Sequence, residues 1–149
     1  MVAENRDPNR TAYTITVDAA EGVGTGISAQ DRSRTCQLLA NPSVERGWFR
    51  RPGHVVPLQA REGGVRVRAG HTEAAGEFCR LAGKEPVGVL AELVEDGEDV
   101  EGNGKGEMGG QFGMMRRDGC LAFGRRHGLR VVTIEALVEF LEAGGGGKA

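Results

Sequence analysis

Glycine is spread very unevenly along this chain, and its placement limits where a packed structure can form. Of 25 glycines, eight fall between Gly97 and Gly119 and four more form the run Gly144 to Gly147. Glycine loses the most backbone freedom on ordering and brings no side chain to bury. The pattern predicts a Gly-rich surface insertion over 98–113, a frayed tail over 144–149, and a single domain over 1–143. The full 149 residues are enough for one domain with a hydrophobic core and no need of disulfides. No repeat of solenoid length is present.

Charge narrows the partners. Lys and Arg total 19 against 21 for Asp and Glu, a net charge of -2. That balance argues against a general nucleic-acid binder or a protein held to anionic membranes. No apolar run approaches the ~18 residues of a membrane span. Met1 to Arg10 is polar and lacks the apolar centre of a signal peptide. Cys36, Cys79 and Cys120 are odd in number and form no CxxC pair. They read as free thiols in a reducing compartment, neither a disulfide framework nor a zinc site.

Between the glycine-rich stretches, strand and helix signals alternate. Tyr13 to Val17 is β-branched and aromatic, and His54 to Leu58 follows an Arg51-Pro52-Gly53 turn; both predict strands. Val65 to Arg68 is a further strand candidate. Ser28 to Asp31 resembles a capping box that opens a helix through Thr35, Leu38 and Leu39, ending before Asn41-Pro42. Thr72 is the predicted N-cap of a helix over Glu73 to Ala82, stopped by Gly83. Val87 to Val94 is nearly all apolar and predicts a buried strand. Asp118 to His127 predicts a helix, Arg130 to Ile134 a strand, and Glu135 to Glu142 a helix with apolar residues at helical spacing. The alternation predicts an α/β or α+β layered domain, with a mixed sheet and flanking helices.

Four places can carry chemistry. Arg68-Ala69-Gly70-His71-Thr72-Glu73 sets a cation, a glycine, an imidazole and a hydroxyl at a helix start. Unpaired N–H groups and the helix dipole favour an anion there, and Arg68 is able to add a bidentate contact. The same residues also fit an ordinary capped helix with a surface Arg and His. His54 suits acid/base work or metal binding, or a structural place at the start of a strand. Glu92 is a lone carboxylate inside VGVLAELV. It is either a cleft acid or base with a raised pKa, or a residue turned to solvent by strand alternation. Gly22-Val23-Gly24-Thr25-Gly26 reads first as a turn and second as a place of close backbone approach. His127, at a helix C-terminus, fits the dipole there and carries no role.

The order of these segments is similar to that of the 3,4-dihydroxy-2-butanone 4-phosphate synthases of riboflavin biosynthesis. The resemblance rests on Thr11 to Asp18, Gly24 to Arg32, Arg51 to Leu58 and Arg61 to Val65. It continues through Arg68 to Ala74, Gly88 to Leu93 and Leu129 to Ile134. His54 and His71 lie 17 positions apart, and His71 and Glu92 lie 21 apart, in the family's spacing. The similarity extends from about Asn5 to Phe140, apart from the glycine-rich stretch.

The resemblance implies a carbon-carbon lyase that converts D-ribulose 5-phosphate into L-3,4-dihydroxy-2-butanone 4-phosphate and formate with Mg²⁺, or Mn²⁺ in its place. It implies that Arg68, Ala69, Gly70, His71 and Thr72 hold the substrate phosphate and that His71 is also a metal ligand. His54 and Glu92 are then catalytic, Glu92 also binds substrate, and Thr25 and Asp31 border the site. A cytoplasmic homodimer without nucleic-acid or membrane partners is implied as well. The family's acidic N-terminal loop, of Arg-Glu-Asn-Glu-Gly-Asp type, has no match here. Met1 falls where the family chain is already under way. The sequence thus reads as an N-terminally truncated member, with a non-catalytic remnant that binds a sugar phosphate or a full-length partner as the alternative. A sheet short of strands exposes an apolar edge, so oligomers or poor solubility are expected.

Overall fold

A computed structural model describes residues 4–95 and 113–145. The predicted insertion, save Gly113, and the end of the tail lie outside those residues. The clearest local signal is borne out. Ser28 takes an extended backbone, and its hydroxyl accepts the Asp31 N–H, opening helix α1 over Ala29–Leu39. Helix α3, Arg117–His127, ends at Gly128, whose φ of +64° suits a residue without a side chain. Helix α4, Ile134–Glu142, starts one residue earlier than expected, with the Thr133 hydroxyl capping the Ala136 N–H.

The first sheet is a two-stranded antiparallel ribbon of β1, Val17–Ala19, and β2, Phe49–Val55. This corrects two expectations. Tyr13 makes only an isolated bridge, to Leu58, and the strand proper begins at Val17. Arg51-Pro52-Gly53 is not a turn before a strand but an irregularity inside one. Val17 faces Val55 while Asp18 faces Arg50, so four residues of β2 bulge out against a single step of β1. The Arg51–Pro52 peptide within the bulge is cis. The Gly53 N–H donates to Thr16 Oγ1 at 3.1 Å, and a Cβ at Gly53 would fall on the Val17 backbone. Only glycine fits that approach.

Helix α1 packs on this ribbon through Thr35, which has no exposed surface. Its hydroxyl accepts the Ala19 N–H at 2.9 Å and donates to the Asp31 carbonyl at 3.1 Å. Val17, Ala19 and Phe49 are buried around it. A second core joins helix α2, His71–Leu81, to α4. Val65, Ala74 and Leu137 are buried there, and Ile134, Val138 and Leu141 pack against them. Val65 stands in a 3-10 turn, Gly64–Arg66, not in the strand expected over 65–68. Gly63 and Gly64, at φ of +90° and +63°, turn the chain away from extended geometry before it.

Helix α2 is N-capped by Gly70, with no side-chain cap, and Thr72 lies inside it. The expected cap at Thr72 is therefore corrected by two positions. The buried strand expected over 87–94 reduces to β3, Val94–Glu95, paired with β4, Gly113–Met114. Val89 is 78% exposed. The stretch expected as a strand over 130–134 is likewise unpaired among the described residues up to Thr133, with Val131 and Val132 exposed. An apolar run records that a segment favours burial; a strand also needs a neighbour to bond. The α+β class holds, and both sheets among the described residues are antiparallel pairs, not one mixed sheet. No helix among those residues is long and apolar enough to cross a membrane.

Candidate functional site

The bulge in β2 has a local consequence. It turns His54 so that its main chain and ring meet the same carboxylate. The His54 N–H donates to Asp18 Oδ1 at 2.8 Å, and His54 Nδ1 lies 2.7 Å from Asp18 Oδ2. The Asp18 side chain is 5% exposed and that of His54 is 40% exposed. One side of the imidazole is anchored inside and the other opens to solvent. The hydrogen bond from the His54 main chain holds the Asp18 carboxyl below its usual range. Burial opposes this, and the His54 ring and the Arg50 charge add to the lowering.

The glycine-rich turn before α1 closes over this pair. Gly26 has a φ of +98°, and a Cβ there would fall on the Asp18 carboxylate. Its N–H donates to Asp31 Oδ2 at 2.9 Å, and Arg50 Nη2 reaches the Gly24 carbonyl at 3.3 Å. Thr25 sits exposed between these two anchors. Of the expected site residues, His54, Thr25 and Asp31 are therefore brought together. The close-approach reading of this turn is the one the structure supports, since Gly26 lies directly against the Asp18–His54 pair.

A second group forms where the 3-10 turn meets α2. Glu73 is buried, 1% exposed, and accepts the Arg61 N–H at 2.9 Å and Arg68 Nη1 at 2.5 Å. Burial alone would raise its pKa, but these bonds, one from its own N–H and the Arg68 charge together hold it below the usual value. Arg68 Nε donates to the Asn9 carbonyl and Nη2 to Thr11 Oγ1. Each guanidinium nitrogen already serves a protein acceptor, but only three of the five N–H groups are used, and Nη1 and Nη2 each keep one for a further acceptor. Gly70 permits the arrangement, because a Cβ there would meet Arg68 and Glu73. Ala69 and His71 are exposed beside it and Thr72 is half-buried. Helix geometry leaves the first N–H groups of α2, those of His71 and Thr72, without intrahelical acceptors.

Glu92 lies outside both groups, exposed on the stretch between α2 and β3. That stretch leaves α2 closely: a Cβ at Gly88 would sit 3.1 Å from Ala75 Cβ and 3.3 Å from Cys79 Sγ. The solvent-facing reading of Glu92 fits this placement. His127 packs beside Phe123, with ring centroids 4.3 Å apart. All three cysteines are free, and burial pushes the Cys36 thiol up.

Two residues of this region escaped the sequence reading, Asp18 and Glu73. Asp18 was findable. It is a lone carboxylate within the β-branched stretch TITVDAA, and the cost of an unpaired charge in a strand, applied above to Glu92, applies to it equally. Glu73 has no such signal, since an acid in a first helical turn is ordinary.

The family model for 3,4-dihydroxy-2-butanone 4-phosphate synthase matches residues 1–140. The synthase of Pyricularia oryzae is 53% identical over 143 residues, which are 95% of this chain and 60% of that protein. The Schizosaccharomyces pombe synthase is 47% identical, over 95% of this chain and 64% of its own. A crystal structure of 3,4-dihydroxy-2-butanone 4-phosphate synthase in complex with two magnesium ions superimposes with a TM-score of 0.86 at 52% identity. It covers 98% of this chain and 67% of that one. The chain thus spans about 60–64% of the length of the two curated relatives.

Proposed function

The chain belongs to the 3,4-dihydroxy-2-butanone 4-phosphate synthase family, and on that premise we propose that it catalyses the family's reaction in riboflavin biosynthesis. D-ribulose 5-phosphate is converted to L-3,4-dihydroxy-2-butanone 4-phosphate and formate by a carbon-carbon lyase. The observation that carries this reading is the buried Asp18 carboxylate holding an exposed His54 ring at 2.7 Å. A sugar-phosphate ketone loses a proton beside its carbonyl, and an imidazole fixed on one side and open on the other is suited to move it.

Each remaining residue takes a narrower task. The His71 and Thr72 N–H groups and the Thr72 hydroxyl bind the substrate phosphate at the start of α2. Ala69 and Gly70 let it approach, and Arg68, anchored by Glu73, offers it the two N–H groups that remain. Thr25 borders the reacting end beside His54. Glu92 as second proton carrier and substrate ligand rests on the family resemblance alone.

Mg²⁺, with Mn²⁺ as its substitute, is the proposed cofactor, and His71 is its proposed protein ligand. Among the described residues no group of three His, Cys, Asp or Glu gathers to hold a metal. One imidazole fits a hard cation only if oxygens complete its shell. When bound, such a cation supplies Lewis-acid stabilisation to an enediolate.

A cytoplasmic homodimer, organised as one domain over 1–143, completes the proposal. The non-catalytic alternative is not favoured, because the matched relatives carry the synthase name. The test is formate release from D-ribulose 5-phosphate with Mg²⁺, using the purified chain beside His54→Ala and His71→Ala. Formate from the parent and none from His54→Ala is expected. A folded parent chain that releases none refutes the reading.

A further inference from the structure

We propose that Asp18 is a positioning residue that keeps the His54 proton on Nδ1, so that Nε2 presents its lone pair to the open side of the site. The role of that lone pair rests on the catalytic reading of His54; the placement of the proton rests on geometry alone. Asp18 has two carboxylate oxygens, and His54 engages both. Oδ1 accepts the His54 N–H at 2.8 Å, and Oδ2 lies 2.7 Å from Nδ1. An ionised carboxylate only accepts, so Nδ1 must donate. A neutral imidazole carries one proton, and Nε2 is then the acceptor.

The Gly26 turn packs closely against this pair. A Cβ at Gly26 would lie 2.8 Å from His54 Nδ1 and would collide with Asp18 Oδ2, so the turn already fills the space beside the bond. The bulge in β2 fixes the His54 main chain to the same carboxylate as its ring, which ties ring orientation to strand register.

Asp18→Asn tests this with little change of shape. The His54 N–H can only donate, so the oxygen of the substituted amide must stay with it. The amide NH₂ then faces Nδ1, which is forced to accept, and the ring proton moves to Nε2. The ¹⁵N resonances of the ring, measured on the full chain at alkaline pH and assigned with His54→Gln, separate the two forms. The wild type is expected to carry the proton on Nδ1 and Asp18→Asn on Nε2. In the formate assay the variant loses about 100-fold or more in kcat with KM retained. A wild-type ring protonated at Nε2, or a folded variant with the wild-type tautomer, overturns the proposal. Should the variant not fold, the wild-type ring decides by itself. A wild type with the Nδ1 proton but no formate release refutes the proposed reaction and supports the positioning role.

Discussion

Replacing Glu73 by Gln removes one charge from the most buried ion pair in the described structure while keeping volume and one acceptor oxygen. Glu73 is 1% exposed and holds Arg68 Nη1 at 2.5 Å and the Arg61 N–H at 2.9 Å. The Gln oxygen can keep the Arg61 bond, but its NH₂ then faces the Arg68 guanidinium, donor against donor. Losing one partner of a fully buried pair costs about 3–5 kcal/mol. A hydrogen bond to a charged group contributes about 1.5–3 kcal/mol. The Arg68 side chain is 21% exposed and recovers some hydration, so the expected loss is about 2–3 kcal/mol. For a chain of this length each kcal/mol lowers Tm by about 2–4 °C, giving a drop of about 4–12 °C.

The loss must also follow pH with a definite sign. The Glu73 carboxyl is held below its ordinary value of 4.5, so its stabilisation is complete above that value. It fades as pH falls through the lower, folded value. Urea denaturation of wild type and Glu73→Gln at pH 7 and at steps below pH 4.5 measures both effects. The gap should be full at pH 7 and close on acidification. A gap below about 0.5 kcal/mol at pH 7, or one that does not change with pH, would refute the reasoning.

Three further substitutions probe the other group and its support. Gly26→Ala places a Cβ on the Asp18 carboxylate at a φ of +98° and should cost about 2 kcal/mol or more, read as a fall in thermal midpoint. Thr35→Val keeps shape but leaves the Ala19 N–H, at a residue with no exposed surface, without its acceptor. A loss of about 1–3 kcal/mol in denaturant unfolding is expected. Ser28→Ala removes the cap on the Asp31 N–H and should cost about 1 kcal/mol, visible in the same unfolding assay without a change in m-value.

Features that depend on neighbours along the chain were legible before folding. Helix α1 was legible because Ser28 caps a group three residues away, and α3 because Gly128 can adopt positive φ. The order of RPGH, RAGHTE and GVLAEL likewise identified the family that the comparisons then established. What required the tertiary structure depends on groups far apart in sequence. The carboxylate that anchors His54 comes from 36 positions away, and no local pattern pairs them. Arg68 reads as an open cation until Asn9, Thr11 and Glu73 are placed around it. The apolar runs at 87–94 and 130–134 favour burial but cannot supply a partner strand. Capping and turn preferences are local energies that each residue carries wherever it stands. Strand pairing, ion pairing and burial are relations between distant residues, and only the folded chain brings those residues within reach.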